Sequence, residues 1–429
     1  MKKMVNRKFR KLDREARIQA LVEAGYLSEK DQQTLLAGDH TLSDSKAEHM
    51  IENVIGVFGL PEGIAINFPL NGRHYMVPMV VEEPSVVAAL SYSALLAEKN
   101  GGFTAEAEEP VIYGQIQLVN VADMAAAIEA VRQNTDDILS RANGFMASMV
   151  ARGGGARHLR VRELVGPNTG KAMLVLDLAF DTRDAMGANL VNTVCEALAP
   201  YIESLTNGEA LLKILSNLAD QALARASVRF SPDQLAVKGF SGEVICQRIE
   251  LANDFALADP YRATTHNKGI FNGIDAVAIA TGNDWRSIEA AGHAFAARDG
   301  QYRALTQWRV DAEGYLCGEI ELPMKVGTVG GSLQSNPAVA INQSMLTIDS
   351  AQELAALLAA VGLAQNFAAL RALAGSGIQQ GHMTLHARSV ALSANAPADI
   401  FDQVVKQLVS EGNIKVWRAL EIIRELSDG

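Results

Sequence analysis

VIYGQIQLVNVADMAAAIEAVRQNTDDIL, residues 111–139, is the stretch on which the fold turns. Ile112, Gly114, Ile116 and Leu118 alternate with polar residues, the period-two pattern of a half-buried strand, and Met124, Ile128, Val131 and Ile138 then recur at helical spacing. Further along, the pattern predicts strands over 157–164 and 171–181, a helix from about 185 to 206 and a strand over 210–216. The resulting order, β-α-β-β-α-β, is that of a ferredoxin-like split unit, so residues 111–217 are expected to form a small inserted domain. No GxGxxG opens a βαβ unit here, and a Rossmann domain is not supported.

On the N-terminal side, residues 1–50 read as helices with polar connections, including the segment Asp13 to Ala24. IENVIG (51–56) follows, then a strand over NGRHYMVPMVV (71–81), then a helix within 82–100 that Pro84 opens and Gly101-Gly102 stops. Beyond 217 the chain returns to a mixed domain with strands around 303–310 and 314–325. Residues 351–374 are apolar nearly all round, which places that helix in the centre of the domain or at an interface. Gly375-Ser376-Gly377 breaks it, and two readings of the helical tail stand: a movable lid, or an ordinary helix connection. The expected fold is therefore α+β. A large mixed α/β domain (1–110 and 218–376) carries an inserted ferredoxin-like, non-Rossmann domain (111–217) and a helical C-terminal flap (377–429).

Composition bounds the function. The chain has 429 residues, 48% hydrophobic and 20% charged, enough for two or three domains with a core that needs no staples. A formal net charge of −11 argues against nucleic acid and anionic membranes as partners, although converging basic residues would still accept a phosphorylated ligand. The basic N-terminus, MKKMVNRKFRKLDRE, is followed by no apolar stretch, so no secretory signal is expected. No run approaches the ~18 apolar residues of a membrane span, and the expected location is the cytoplasm. Cys195, Cys246 and Cys317 are too few and too scattered for a disulfide framework or a zinc site, and no metal is expected.

The residues that suggest chemistry cluster in YRATTHNKGIFNGIDAVAIATGNDWR (261–286). Lys268 and Asp284 flank the apolar run Ala276 to Ala280, with Asn267, Asn272 and Asn283 close by. A lysine beside a buried segment needs a partner for its charge, and Asp284 is the nearest candidate. Such a pair polarises a carbonyl and manages a proton, or is a plain salt bridge at a strand end. Glu82-Glu83-Pro84-Ser85 sets two carboxylates between a strand and a helix, where a desolvated acid holds its proton and an exposed one merely complements the helix dipole. Gly153-Gly154-Gly155 and the helix opening Asp184-Ala185-Met186-Gly187-Ala188-Asn189 suit close approach of a phosphate; the plainer readings are a turn and an N-cap at Asp184. His382 and His386 share a helical face, but no third ligand accompanies them, and one histidine serves better as a proton donor near pH 7. Cys195, inside NTVCEAL, reads as a packing residue rather than a nucleophile.

Taken in order, ENVIG (52–56), EEPS (82–85), DAMGAN (184–189), LSNLAD (215–220), DPYRATTHNKG (259–269), GNDWR (282–286), GLAQN (362–366) and GHM (381–383) resemble the bacterial (class II) 3-hydroxy-3-methylglutaryl-coenzyme A (HMG-CoA) reductases. The match runs from about residue 50 to about residue 390. The resemblance implies an inserted nicotinamide-cofactor domain, a mobile flap, and a homodimer (or stacked dimers) whose active sites draw on both subunits. It implies Glu83, Lys268, Asp284 and His382 as catalytic residues. Arg262 would pair with the substrate carboxylate, Ser85, Asn272 and Asn217 would line the substrate pocket, and Arg10 would reach the coenzyme A phosphates. Cofactor contacts would fall on Gly153, Gly154 and Gly155 and on Asp184, Met186, Gly187, Ala188 and Asn189.

The implied reaction is the four-electron reduction of HMG-CoA to mevalonate and coenzyme A with two NAD(P)H. Lys268 would stabilise the oxyanion with Asp284 fixing it, Glu83 would donate a proton to the carbonyl oxygen, and His382 would quench the departing thiolate. Family members that use NAD place an aspartate shortly before the glycine turn, and that position here is Met146. Arg141, Arg152 and Arg157 surround it and suit a 2′-phosphate, which favours NADPH over NADH. The same enzyme run oxidatively with NAD, or a non-catalytic acyl-CoA-binding protein on this scaffold, are the alternatives. An acyl-CoA-reducing aldehyde dehydrogenase would need a well-placed cysteine.

Overall fold

A computed structural model describes residues 2–237, 239–330, 333, 335–375 and 378–427, with side chains throughout except at residue 7 and at residues 378–385. Among the described residues, ten strands form three antiparallel sheets. β1 (Glu62–Leu70) and β2 (Arg73–Val80) make a hairpin closed by Asn71-Gly72, both at positive φ (50° and 75°), as a tight two-residue turn requires. β3 (Thr104–Ala107), β8 (Leu223–Phe230), β10 (Leu316–Pro323) and β9 (Thr306–Val310) form a second sheet in the order β3-β8-β10-β9.

The third sheet comprises β4 (Val111–Val119), β5 (Gly155–Val165), β6 (Ala172–Asp181) and β7 (Glu209–Leu215) in the order β5-β6-β4-β7. β6 is antiparallel to both its neighbours, so β4 and β5 run parallel with β6 between them, which is the split βαβ connection. Helices Met124–Gln133, Thr135–Phe145 and Ala188–Thr206 cover one face, and Ile116, Leu118, Val131, Ile138, Leu176, Val194 and Leu198 form the core between the layers. Gly114 interrupts the apolar side of β4 because a Cβ there would lie 2.4 Å from the Cys195 sulfur. Burial, then Glu196, pushes the Cys195 thiol up to about 12, so it packs and does not react.

The larger core gathers around helix Ala351–Ala374, buried along nearly its whole length against helices Pro260–Ala280 and Val86–Glu98 and strands β3 and β8. It crosses Pro260–Ala280 closely. A Cβ on Gly273 would meet Gln365 at 3.0 Å, and one on Gly362 would meet Ile274 at 2.8 Å. By length and composition this helix is apolar enough to cross a membrane, which corrects the reading that no run approaches a span; its apolar window is 83% buried inside the fold. Helices Ile378–Ser393, Phe401–Glu411 and Val416–Ser427 carry a small core of their own around Ala391, Val404, Leu408 and Ile422. Ser376 and Gly377 of the expected hinge lie outside the described residues.

Two element boundaries also need correction. The strand placed at 71–81 begins at Arg73, because Asn71-Gly72 is the hairpin turn; β1 before it, β3 and β8 were not anticipated. The helix opening at 184–189 starts only at Ala188, with Gly187 as its N-cap. The Asp184 carboxylate accepts instead from the Ala351 N–H at 2.8 Å, at the start of the central helix, so Asp184 is no N-cap of its own helix.

Candidate active site

Helix Pro260–Ala280 begins with Asp259 as N-cap, accepting from the Arg262 N–H at 2.8 Å, and Pro260 in its first turn. Ala263, Ile270, Phe271 and Ile274 bury one face of it, while Lys268 and Asn272, four apart, share another. The Lys268 ammonium donates to the Glu83 carboxylate at 2.6 Å, bridging this helix and the turn that follows β2. Both groups lie at the surface of the single chain, with side chains 60% and 45% exposed. That turn ends at Ser85, a non-glycine residue at φ 81°, a conformation that costs about 1–3 kcal/mol and is tolerated where a side chain must be aimed.

Lys268 was expected to pair with Asp284 at a strand end. Among the described residues no ion pair joins them. The reason is that Ala276–Ala280 continues the helical period begun at Pro260 instead of forming a strand. Asp284 caps the next helix, Trp285–Ala296, accepting from the Arg286 and Ser287 N–H groups at 3.1 and 3.4 Å, and pairs with the Arg286 guanidinium at 3.3 Å. The adjoining Asn283 is buried and accepts from the Gly327 N–H at 2.7 Å, which fixes the GND turn against the segment after β10.

Asp284 opens into a cavity of about 360 Å³ that it lines with Asn217, Met186, Gly187, Ala188, Asn189 and Lys325. Residues more than sixty positions apart in sequence thus converge on one space. Gly187 stands at φ 82°, and a Cβ there would meet Thr182 at 2.4 Å, so only glycine fits. As N-cap it has no side chain to satisfy the first-turn N–H groups of helix Ala188–Thr206, which leaves them for an anion. Lys325 carried no expectation, although a lone lysine within the apolar run LPMKVG was a visible signal.

The glycine turn stands apart from that lining. A Cβ on Gly153 would meet the Arg183 guanidinium at 3.0 Å, one on Gly154 the Asp181 carbonyl at 2.6 Å, and one on Gly155 the Asn143 amide at 2.5 Å. Packing against backbone therefore requires Gly154, while Gly153 and Gly155 are required by their positive φ of 84° and 120°. Met146 is buried, Arg141 pairs with Asp137 at 2.8 Å and stacks on Tyr201, and Arg157 pairs with Asp181 at 2.5 Å. Arg152 is exposed on the turn.

A second, larger cavity of about 1370 Å³ brings Arg10 together with Arg14, Arg17, Ser85, Phe58 and Tyr92. Arg262 and Asn272 lie outside both linings; burial lowers the Arg262 pKa, which favours an anionic partner there. His386 is exposed, the His382 side chain lies outside the described residues, and no metal-binding cluster occurs among the described residues.

A family model for hydroxymethylglutaryl-coenzyme A reductase matches residues 13–387. The 3-hydroxy-3-methylglutaryl-coenzyme A reductase of Archaeoglobus fulgidus is 46% identical over 97% of this chain and 94% of its own length. A probable reductase of the same name from Borreliella burgdorferi is 37% identical over 80% of this chain and 77% of its own. Among solved structures, the Streptococcus pneumoniae reductase superposes with a TM-score of 0.83 at 44% identity, covering 98% of this chain and 99% of that one. A class II reductase structure from the same organism, bound to NADPH in open conformations, gives 0.82 at 46% identity over 86% of this chain and 99% of that one.

Proposed function

The chain belongs to the hydroxymethylglutaryl-coenzyme A reductase family, and from that premise we propose how its residues divide the work of the reaction. It is an oxidoreductase that converts HMG-CoA to mevalonate and coenzyme A using NAD(P)H. A reduced nicotinamide supplies a hydride at each of two steps. Lys268 holds its ammonium where the thioester oxygen gains negative charge, the position at which a fixed cation lowers the barrier most. Glu83, 2.6 Å from that ammonium, accepts from it and fixes it, and in its protonated form donates that proton to the oxygen as the aldehyde becomes the alcohol. His382 protonates the departing thiolate of coenzyme A, an ordinary thiol with a pKa of about 8.5. Arg262 receives the substrate's free carboxylate with Ser85 and Asn272 nearby, and Arg10 receives the coenzyme A phosphates.

The cavity containing Asp284, Asn217 and Met186–Asn189 takes the nicotinamide end of the cofactor. Its volume suits a compact ring system, and the uncapped helix N-terminus suits a phosphate. Because Asp284 borders that cavity and not the Lys268–Glu83 pair, the complete centre joins Lys268 and Glu83 of one protomer to Asp284 of a second copy. Exposed Ile51, Ile55 and Phe58, an apolar run that water would disfavour, support such a homodimer. In this reading 111–217 is the cofactor domain, 377–429 the flap that closes between steps, and the cytoplasm the site of action. NADPH is preferred, with Arg152 and Arg183 beside the glycine turn as the cations for its 2′-phosphate.

The contact that carries the reading is Glu83 with Lys268. The deciding experiment follows nicotinamide absorbance after adding HMG-CoA with each cofactor in turn. Two equivalents oxidised per substrate, with the larger kcat/KM for NADPH, is the expected result. One equivalent per substrate would reject the two-step reduction.

A further inference from the structure

Lys325 lies just past β10 and lines the same cavity as Asp284 and Met186–Asn189. Part of its side chain is open to that space, while its ammonium is enclosed by protein. Nζ donates to the Ala185 carbonyl at 2.7 Å and to the Val326 carbonyl at 3.1 Å. Burial pushes its pKa down to about 8, against the pull of Asp181 and Asp184. An ammonium without such carbonyl partners would not persist there.

The segment around Lys325 is bound to the cofactor turn over several residues. The Thr328 and Val329 N–H groups donate to the Asp184 carbonyl at 2.8 and 3.2 Å, and Val329 pairs with Ala185 as an isolated parallel bridge. A Cβ on Gly327 would meet the Met186 nitrogen at 2.7 Å, so the two backbones touch. Gly327 in turn donates to Asn283, the neighbour of Asp284. A continuous path therefore runs from the turn Ala185–Gly187, through residues 325–329, to the catalytic aspartate. Lys325 supplies its one charged link.

We infer that Lys325 is a positioning residue for the nicotinamide cofactor: its ammonium clamps the Ala185 carbonyl and so sets the spacing between the Met186–Asn189 turn and Asp284. The inference rests on the reading of this cavity as the cofactor site. Methionine at 325 keeps the length and the apolar stem of the side chain but cannot hold the carbonyl, whereas arginine can donate to it. The fold has other ties at this point: Thr182 also donates to the Ala185 carbonyl at 2.9 Å, and Asp181 keeps its pairs with Arg157 and Arg183.

The test uses the full-length protein, NADPH fluorescence titration and steady-state kinetics. Lys325→Met is expected to raise both the Kd and the KM for NADPH by about tenfold or more, as misplacement of a binding turn does, while the KM for HMG-CoA stays within about twofold. Lys325→Arg is expected to recover most of the NADPH affinity. Unchanged NADPH constants in Lys325→Met, or equal rises in both KM values, would overturn the positioning role. Asn189→Glu, a charge change on the exposed lip of the cavity, separates the two levels of the argument. If it weakens NADPH and Lys325→Met does not, only the role of Lys325 fails. If Asn189→Glu binds NADPH as the wild type does, the cavity is not the cofactor site and the inference falls with it.

Discussion

The Lys268 ammonium and the Glu83 carboxylate meet at 2.6 Å although 185 positions separate them in the chain, and Asp284, only sixteen residues beyond Lys268, takes no part in that contact. Sequence proximity and chemical proximity diverge here because Lys268 lies in the third turn of one helix and Asp284 caps the next.

The exposure of the pair separates its catalytic from its structural weight. Glu83→Gln and Lys268→Ala are each expected to lower kcat by about 10²–10³, the usual loss when a charge-stabilising or proton-donating group is removed. An exposed ion pair contributes little to stability, so the melting temperature should move by less than about 2 °C. Wild-type turnover by Lys268→Ala would remove the lysine from the mechanism.

A centre assembled from two protomers predicts complementation. Lys268→Ala and Asp284→Ala proteins are each expected to be inactive alone. After co-denaturation and refolding in equal amounts, half the dimers are hybrids, each with one intact site. Recovered activity should reach about a quarter of the wild-type level. No recovery, with hybrid dimers demonstrated by a tag on one variant, would place both residues in a site within one chain.

His266 predicts acid sensitivity. It is buried, its Nε2 accepts from the Asn366 amide at 3.0 Å and lies 2.6 Å from the Thr306 hydroxyl, and burial followed by Arg262 lowers its pKa from 6.5 to about 3. The unfolded chain binds a proton near 6.5 that the folded chain refuses. The stability contributed by neutral His266 is therefore complete above about 6.5 and is lost as pH falls toward 3. Urea midpoints for wild type and His266→Gln between pH 7.5 and 4.5 should show the wild type losing more on acidification. Parallel pH dependence in the two proteins would contradict this.

Gly114 predicts a steric coupling in the small core. Alanine there would place Cβ 2.4 Å from the Cys195 sulfur and 2.8 Å from Val191, and overpacking of this kind costs about 1–3 kcal/mol. Cys195→Ala in the same chain removes the nearer obstacle. The double variant should be more stable than the sum of the two single losses predicts, as measured by denaturant midpoints. Strict additivity would mean that the backbone, not the sulfur, absorbs the clash.

What was legible in the sequence follows the range of the interaction that decides it. Strands β5 and β6 fall close to the segments 157–164 and 171–181 that the pattern predicts, and helix Ala351–Ala374 is buried as its uniform apolarity implies, because a single element's burial leaves its mark on its own residues. The strand expected at 71–81 absorbs Asn71-Gly72, a hairpin dipeptide, because the strand before it is masked: Ile64, Ile66, Phe68 and Leu70 alternate, but Gly63, Asn67 and Pro69 between them are poor strand formers, and the register shifts between Ala65 and Phe68. Asp184 looked like a helix cap because Ala351, its actual partner, is 167 residues away. The choice of Glu83 over Asp284 as the partner of Lys268 is decided by a tertiary contact that no local window contains, and so is the role of Lys325: its place in an apolar run is visible, but its partner Ala185 is 140 residues away.

The apolar helix at the hub of the larger core has a further consequence for biogenesis. Ribosomes synthesise Ala351–Ala374 after the hairpin, the Val86–Glu98 helix and the Pro260–Ala280 helix that receive it, so the nascent polypeptide must keep an oily groove open until its last major tenant arrives. Release before that moment exposes both groove and tenant to other chains, and holdase chaperones gain a natural point of engagement at this step.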